Sequence, residues 1–262
     1  MAVRRNHHAL VAPGPQGRPR CPGQRWALAR PARRCEGGHE TPHVRGELQV
    51  IISIVGAGNM ARAIGTRVLS GGHSLRLHDR NPGKAEGLAT SLSEAVSGAD
   101  VQASDAEGAA AADVVVLALP YPAGREVAAS LGAALSGKVV VDISNPVDFS
   151  TFDSLVVPPG TSAAEEIAAV VPDARLVKAF NTTFAGPLAS GEVAGRPLDV
   201  FIAGDDDAAR EAVASVVTSA GLRPLDVGPL RRARELEAFQ FLHMASQERL
   251  GLGWSSGIAI LP

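Results

Sequence analysis

The chain has 262 residues, 45% of them hydrophobic and 20% charged, with a formal charge of −2. That length allows one or two domains with a proper core, and the near-neutral balance gives no general reason to expect nucleic acid as a partner. No apolar run reaches the roughly 18 residues a membrane helix needs, so no membrane partner is expected either.

Residues 1–47 hold nine Arg, no Lys and three Glu, so the remaining 215 residues carry −8. Pro, Gly and Arg dominate this segment, and no apolar period of 2 or 3.6 runs through it. Such a composition buries too little surface to offset its ordering entropy, and a disordered extension is expected. No h-region follows the first arginines, so it does not read as a secretory signal. A transit peptide, a nucleic-acid-binding arm and an incorrectly chosen start codon share this composition; the last is the simplest account. Both cysteines, Cys21 and Cys35, lie here. The body has no thiol chemistry, and the compartment stays open, with the cytoplasm as the default.

From Leu48 the texture changes. LQVIISIV precedes the helical stretch NMARAIGTRVLSGG, and SLRLHD precedes NPGKAEGLATSLSEA. ADVVVLALP, AGREVAASLGAAL, GKVVVDIS, SAAEEIAAVV and ARLVKAF continue the alternation. Strands that are apolar throughout are buried on both faces, as in a parallel sheet covered by helices. The fold class predicted is α/β, a doubly wound Rossmann sheet over residues 48–182. LDVFIAG, DDAAREAVASVVTSA, LRPLDVG and a helix from about Arg231 to Leu250 then form a smaller part, residues 183–262, closing a cleft over one edge of the sheet.

Gly56-Ala57-Gly58-Asn59-Met60-Ala61 follows the first strand and opens the first helix. In this G-x-G-x-x-A pattern Gly56 permits the tight turn, Gly58 lets a pyrophosphate approach the backbone, and Ala61 allows close helix–strand packing. The helix start offers free N–H groups and partial positive charge to phosphates. A glycine-rich turn with no ligand is the bland alternative, and the strand–turn–helix context argues against it.

The end of the second strand chooses between NAD and NADP. Asp79 suits a ribose 2′-OH; Arg80 and Lys84 suit a 2′-phosphate, unless they are merely solvated charges. Asp79 can also turn away toward the helix beginning near Pro82. Two cations against one anion favour NADP.

Ligands of open α/β sheets bind beyond the carboxyl ends of the strands. Leu119, Pro120 and Tyr121 suit a fixed wall and a stacking ring beside a nicotinamide. Asn145, Asn181 and Thr182 sit at two further strand ends, where they either recognise an amide-like edge or simply cap turns. No Ser–His–Asp, Cys–His or metal-ligand pattern appears in the body, whose histidines are His73, His78 and His243. Hydride transfer between two ring cofactors needs no strong general acid, so catalysis would rest on positioning the rings.

VGAGNMARAIGTRVLSGGH, DRNPGKAE, ADVVVLALPYPA, GKVVVDISNP, LVKAFNT, VFIAGDDDAAREAV and GLRPLDVGPLRRARELEAF together resemble the NADPH-dependent coenzyme F420 reductase family, from about Val50 to Pro262. The resemblance implies hydride transfer between NADP(H) and the deazaflavin F420. It implies pyrophosphate on Gly56 to Met60, 2′-phosphate near Arg80 and Lys84, nicotinamide beside Leu119 to Tyr121, and deazaflavin toward Asn145, Asn181 and Thr182. Asp79 and Ala57 stand where that family often has Ser and Thr. The chain is also similar to the NADPH domain of membrane ferric reductases, which act on flavin, and GAGNMA looks like pyrroline-carboxylate reductase. A flavin or small-molecule reductase and a non-catalytic NADP-binding regulatory module are the alternatives, and a homodimer is common for such folds.

Overall fold

A computed structural model describes residues 49–261; the extension expected over 1–47 lies outside the described residues. In chain order the elements are β1 (Ile51–Val55), α1 (Asn59–Ser70), β2 (Ser74–His78), α2 (Pro82–Ala95), β3 (Val101–Ala103), α3 (Ala106–Ala110), β4 (Val114–Leu117) and α4 (Tyr121–Leu131). They continue with β5 (Val139–Asp142), α5 (Ala163–Val170), β6 (Arg175–Lys178), α6 (Ala185–Ser190), the ladder of β7 (Glu192–Val193) and β8 (Arg196–Pro197), β9 (Asp199–Gly204), α7 (Asp207–Ser219), β10 (Arg223–Gly228) and α8 (Ala233–Ala245).

The main sheet has the order β10-β9-β6-β5-β4-β1-β2-β3. β3 to β6 are mutually parallel and give the Rossmann order; β9 then joins β6 antiparallel, with β10 parallel to β9. The segment after residue 182 thus extends the same sheet through β9 and β10.

Each central strand is apolar on both faces because each face has its own helix layer. Ile52, Ile54, Val114 and Val116 pack with α1, α2 and α7 through Ile64, Leu92 and Val213. Val55, Val115, Leu117 and Val140 pack on the other side with Ala128, Ala164 and Ile167 of α4 and α5. A fully buried Ile or Leu such as Ile54 contributes about 1.5–3 kcal/mol by leaving water.

Register aligns the strand ends. Val55 pairs with His78 and with Leu117, Leu117 with Asp142, and Asp142 with Lys178. The residues that follow these five therefore emerge along one edge, where the chain reverses its winding between β1 and β4.

At the far side of the sheet Arg223 grips the buried Asp199 carboxylate with two hydrogen bonds of 2.6 and 2.5 Å, and the Ile260 N–H adds a third at 3.0 Å. Burial pushes Asp199 up, but these donors outweigh it and hold the carboxyl below its ordinary value near 3.8. A depressed folded pKa stabilises the fold above the unfolded value and loses that contribution as pH falls through the folded one. Asp199→Asn should thus cost about 1 kcal/mol at neutral pH, a figure kept small because half-exposed Arg223 is screened by water. Thermal melts should show that gap closing as pH falls below the ordinary carboxylate range.

Candidate dinucleotide site

The loop between β1 and α1 is shaped by Gly56 and left open by Gly58. Gly56 has φ +112°, and a Cβ there would lie 2.5 Å from the Ala118 carbonyl oxygen. The loop thus lies against the end of β4, at the point where the winding reverses. Gly56→Ala should lose about 2–5 kcal/mol, combining backbone strain with overpacking; a denaturant titration reads this directly. Gly58 differs: its φ is −89°, which any residue adopts, and a Cβ there meets no protein atom within 4 Å. The space beside it is free for a ligand.

Gly58 is the N-cap of α1 and offers no side chain to its N–H groups, and the first turn carries no acidic residue. α2, α3, α5 and α7 are each capped by a side chain, from Asn81, Asp105, Ser162 and Asp206. The first N–H groups of α1, at Asn59 and Met60, are therefore left without a capping side chain. Ala61 is fully buried, as close packing of α1 on the sheet requires.

Asp79 turns back toward the loop. Its Oδ2 accepts the Ala57 N–H at 3.1 Å and its Oδ1 the Asn81 N–H at 2.9 Å. Asn81, not Asp79, caps α2, accepting the Gly83 N–H at 3.1 Å, with Pro82 at the first helical position. Arg80 and Lys84 are exposed, and neither side chain has a hydrogen-bond or ion-pair partner among the described residues.

Beyond β4, Leu119 and Tyr121 are half-buried against the α4–α5 side of the core, and Pro120 is the N-cap of α4. Burial raises the Tyr121 phenol above 10.0, the nearby Glu166 carboxylate adding to it, so the hydroxyl stays protonated. Beyond β5 and β6, Asn145 and Asn181 meet. Asn145 Nδ2 donates to the Asn181 carbonyl at 2.9 Å, and Asn181 Nδ2 donates to Asn145 Oδ1 at 3.0 Å. Asn145 is half-exposed, while Asn181 and Thr182 are each 1% exposed. Ser144 Oγ, Asn181 Oδ1 and Thr182 Oγ1 are buried without a partner. Asn145 faces outward, and Asn181 and Thr182 stand behind it.

Two features of this edge lie outside the sequence-based expectation. Lys178, Asp142 and Glu237 form a buried ion cluster, heralded in sequence only by a lysine inside the apolar run RLVKAF. Phe184, just after Thr182–Thr183, packs on His243 at 4.6 Å and meets Trp254 edge-on at 5.2 Å, so the segment after α8 covers the loop after β6. Burial lowers the His243 pKa and keeps that ring neutral, as a packing histidine requires. A cavity of about 530 Å³ opens at the opposite, amino end of the sheet beside Val50 and Val114, away from these groups. Among the described residues no His, Cys, Asp or Glu cluster could hold a metal, and no helix is long and apolar enough to cross a membrane.

Residues 51–146, which run from β1 through the glycine loop to Asn145, match the model of the family described as NADP oxidoreductase coenzyme F420-dependent. The match takes in the elements from β1 through β5. It is 28% identical over 194 residues to the F420-dependent NADP reductase of Methanocaldococcus jannaschii, covering 70% of this chain and 85% of that protein. It is 33% identical over 187 residues to rat metalloreductase STEAP3, covering 71% of this chain but only 36% of that protein's length. The solved structure of an Arthrobacter sp. FB24 protein, described as a candidate F420-dependent NADP reductase, superposes with a TM-score of 0.70 at 27% identity, covering 80% of this chain and 99% of that one. The chain is thus an NADP-dependent oxidoreductase with a Rossmann fold.

Proposed function

We propose that the chain transfers hydride between NADP(H) and the deazaflavin coenzyme F420, with the dinucleotide on the β1–α1 loop and the acceptor against Asn145. The observation that carries the NADP side is the occupation of Asp79. Its two oxygens are taken by backbone N–H groups, leaving Arg80 and Lys84 as the unpaired charges where a 2′-phosphate would sit. The pyrophosphate lies over Gly58 on the N–H groups of Asn59 and Met60, and Leu119 to Tyr121 back the nicotinamide. Asn145 has one N–H and one oxygen lone pair beyond those used by Asn181, which suits a ring edge that both accepts and donates. The acceptor's identity rests on the family and on the F420-dependent reductases that share it.

The residues on this edge supply positioning and not proton transfer. Burial keeps the Tyr121 phenol protonated. Catalysis then comes from holding two rings at near-contact distance.

A second reading, reduction of a flavin, rests on the resemblance to the NADPH domain of membrane ferric reductases. The purified chain with NADPH and either oxidised F420 or FMN separates the two by loss of acceptor absorbance. Turnover of F420 in preference to FMN supports the first reading, and the reverse preference supports the second. Tight NADPH binding with neither acceptor reduced would leave a regulatory module.

A further inference from the structure

Lys178 ends β6 with its side chain fully buried, and all three ammonium protons find acceptors. These are Asp142 Oδ2 at 2.7 Å, Glu237 Oε1 at 2.7 Å and the Ser144 carbonyl at 2.6 Å. Taking an ammonium and two carboxylates out of water is costly, and well-packed apolar residues often replace such clusters without loss of stability. The contacts point to a geometric role instead.

Asp142 Oδ1 accepts the Ser144 N–H at 2.9 Å. Ser144 is thereby held at its N–H by Asp142 and at its carbonyl by Lys178. The next residue, Asn145, has its amide paired at both ends with Asn181, three positions beyond Lys178 on the neighbouring strand end. Glu237 of α8 also accepts from the Ala163 and Ala164 N–H groups, at 2.9 and 3.3 Å. The start of α5 offers its partial positive charge to the second carboxylate, which one ammonium alone does not neutralise.

We propose that Lys178, locked between Asp142 and Glu237, is a positioning residue that fixes the Ser144–Asn145 turn and so sets the angle at which Asn145 meets the acceptor's amide-like ring edge. The last clause rests on the acceptor reading given above; the fixing of the turn does not. Lys178 itself does not donate a proton to the acceptor, because it is buried and every N–H is in use.

The test uses the full chain, labelled with ¹⁵N, and hydrogen exchange of the Asn145 side-chain amide. In the unmodified protein that amide should exchange at least tenfold more slowly than the side-chain amide of exposed Asn59; equal rates would overturn the proposal without any variant having to fold. Lys178→Met, and the double variant Lys178→Met with Glu237→Gln, which leaves one fewer buried charge unpaired, should speed Asn145 exchange at least tenfold. Affinity for NADPH should stay within twofold, since the glycine loop does not touch the cluster. With F420 or FMN the acceptor KM should rise at least fivefold. A merely structural role predicts a lowered Tm with Asn145 exchange and acceptor KM unchanged in the folded fraction, and that result would overturn the proposal. If the unmodified chain reduces neither acceptor, the acceptor clause falls, and exchange still decides whether Lys178 fixes the turn.

Discussion

Replacing Gly58 with valine is expected to remove NADPH binding while leaving the fold intact. The two requirements for glycine in the loop are separable here. Gly56 is needed by the protein, because of its positive φ and the 2.5 Å approach of the Ala118 carbonyl. Gly58 is needed only by what binds, because its backbone is ordinary and its missing Cβ would project into open space. Valine is a poor N-cap, which costs about 1 kcal/mol, partly offset by the reduced freedom of the unfolded chain. A shift of a few degrees in Tm is therefore expected. Against this, two methyl groups where the pyrophosphate should lie would weaken NADPH by at least about a hundredfold, roughly 3 kcal/mol. Fluorescence titration with NADPH, run beside a melt, checks both halves. Retained affinity would place the dinucleotide elsewhere.

The second large effect is expected at the end of β2. Arg80→Ala should weaken NADPH by about ten- to a hundredfold, the worth of one charge-assisted contact to a phosphate, about 1.5–3 kcal/mol. NADH should change by less than about twofold, which is too small to count as a lost contact. Lys84→Ala should act in the same direction more weakly, since a flexible ammonium binds phosphate as a point charge. Asp79 supplies the contrast. Its carboxylate ties Ala57 and Asn81 together, so Asp79→Ser should loosen the loop for both dinucleotides instead of reversing the preference. Equal losses of NADPH and NADH in Arg80→Ala would remove the 2′-phosphate role.

Much of the fold was legible because the parallel strands are continuous apolar runs and the loop motif sits at its required junction. VVVL and VVVD read as strands buried on both faces, and they are. Missed elements have no such signal. β3 is three residues, none fully buried, at the edge of the sheet, and α3 is a five-residue helix. The reversal at β9 was also hidden, because a strand with all six residues buried carries no mark of its direction.

At the candidate site, local chemistry was visible and long-range pairing was not. Asn145 and Asn181 both stand at strand ends flagged by Asn-Pro and Asn-Thr, but their mutual bonding follows from the register that sets Asp142 beside Lys178. Lys178 stands out in sequence only as a lysine inside an apolar run. Its partners lie 36 and 59 residues away, a separation at which spacing says nothing. Asp79 was ambiguous in sequence because a carboxylate after β2 serves a ribose or a turn equally well; the two backbone N–H groups that hold it come from the loop geometry.

Direct transfer between the two ring cofactors is tested most directly by NADPH deuterated at nicotinamide C4, mixed with the purified chain and oxidised F420. A deazaflavin has carbon in place of a flavin ring nitrogen, so a transferred deuteride stays attached and is read by mass spectrometry of the reduced acceptor. The account predicts deuterium in reduced F420 at near-stoichiometric level from one face of the nicotinamide. Deuterium remaining in the dinucleotide, with F420 unreduced, would contradict it.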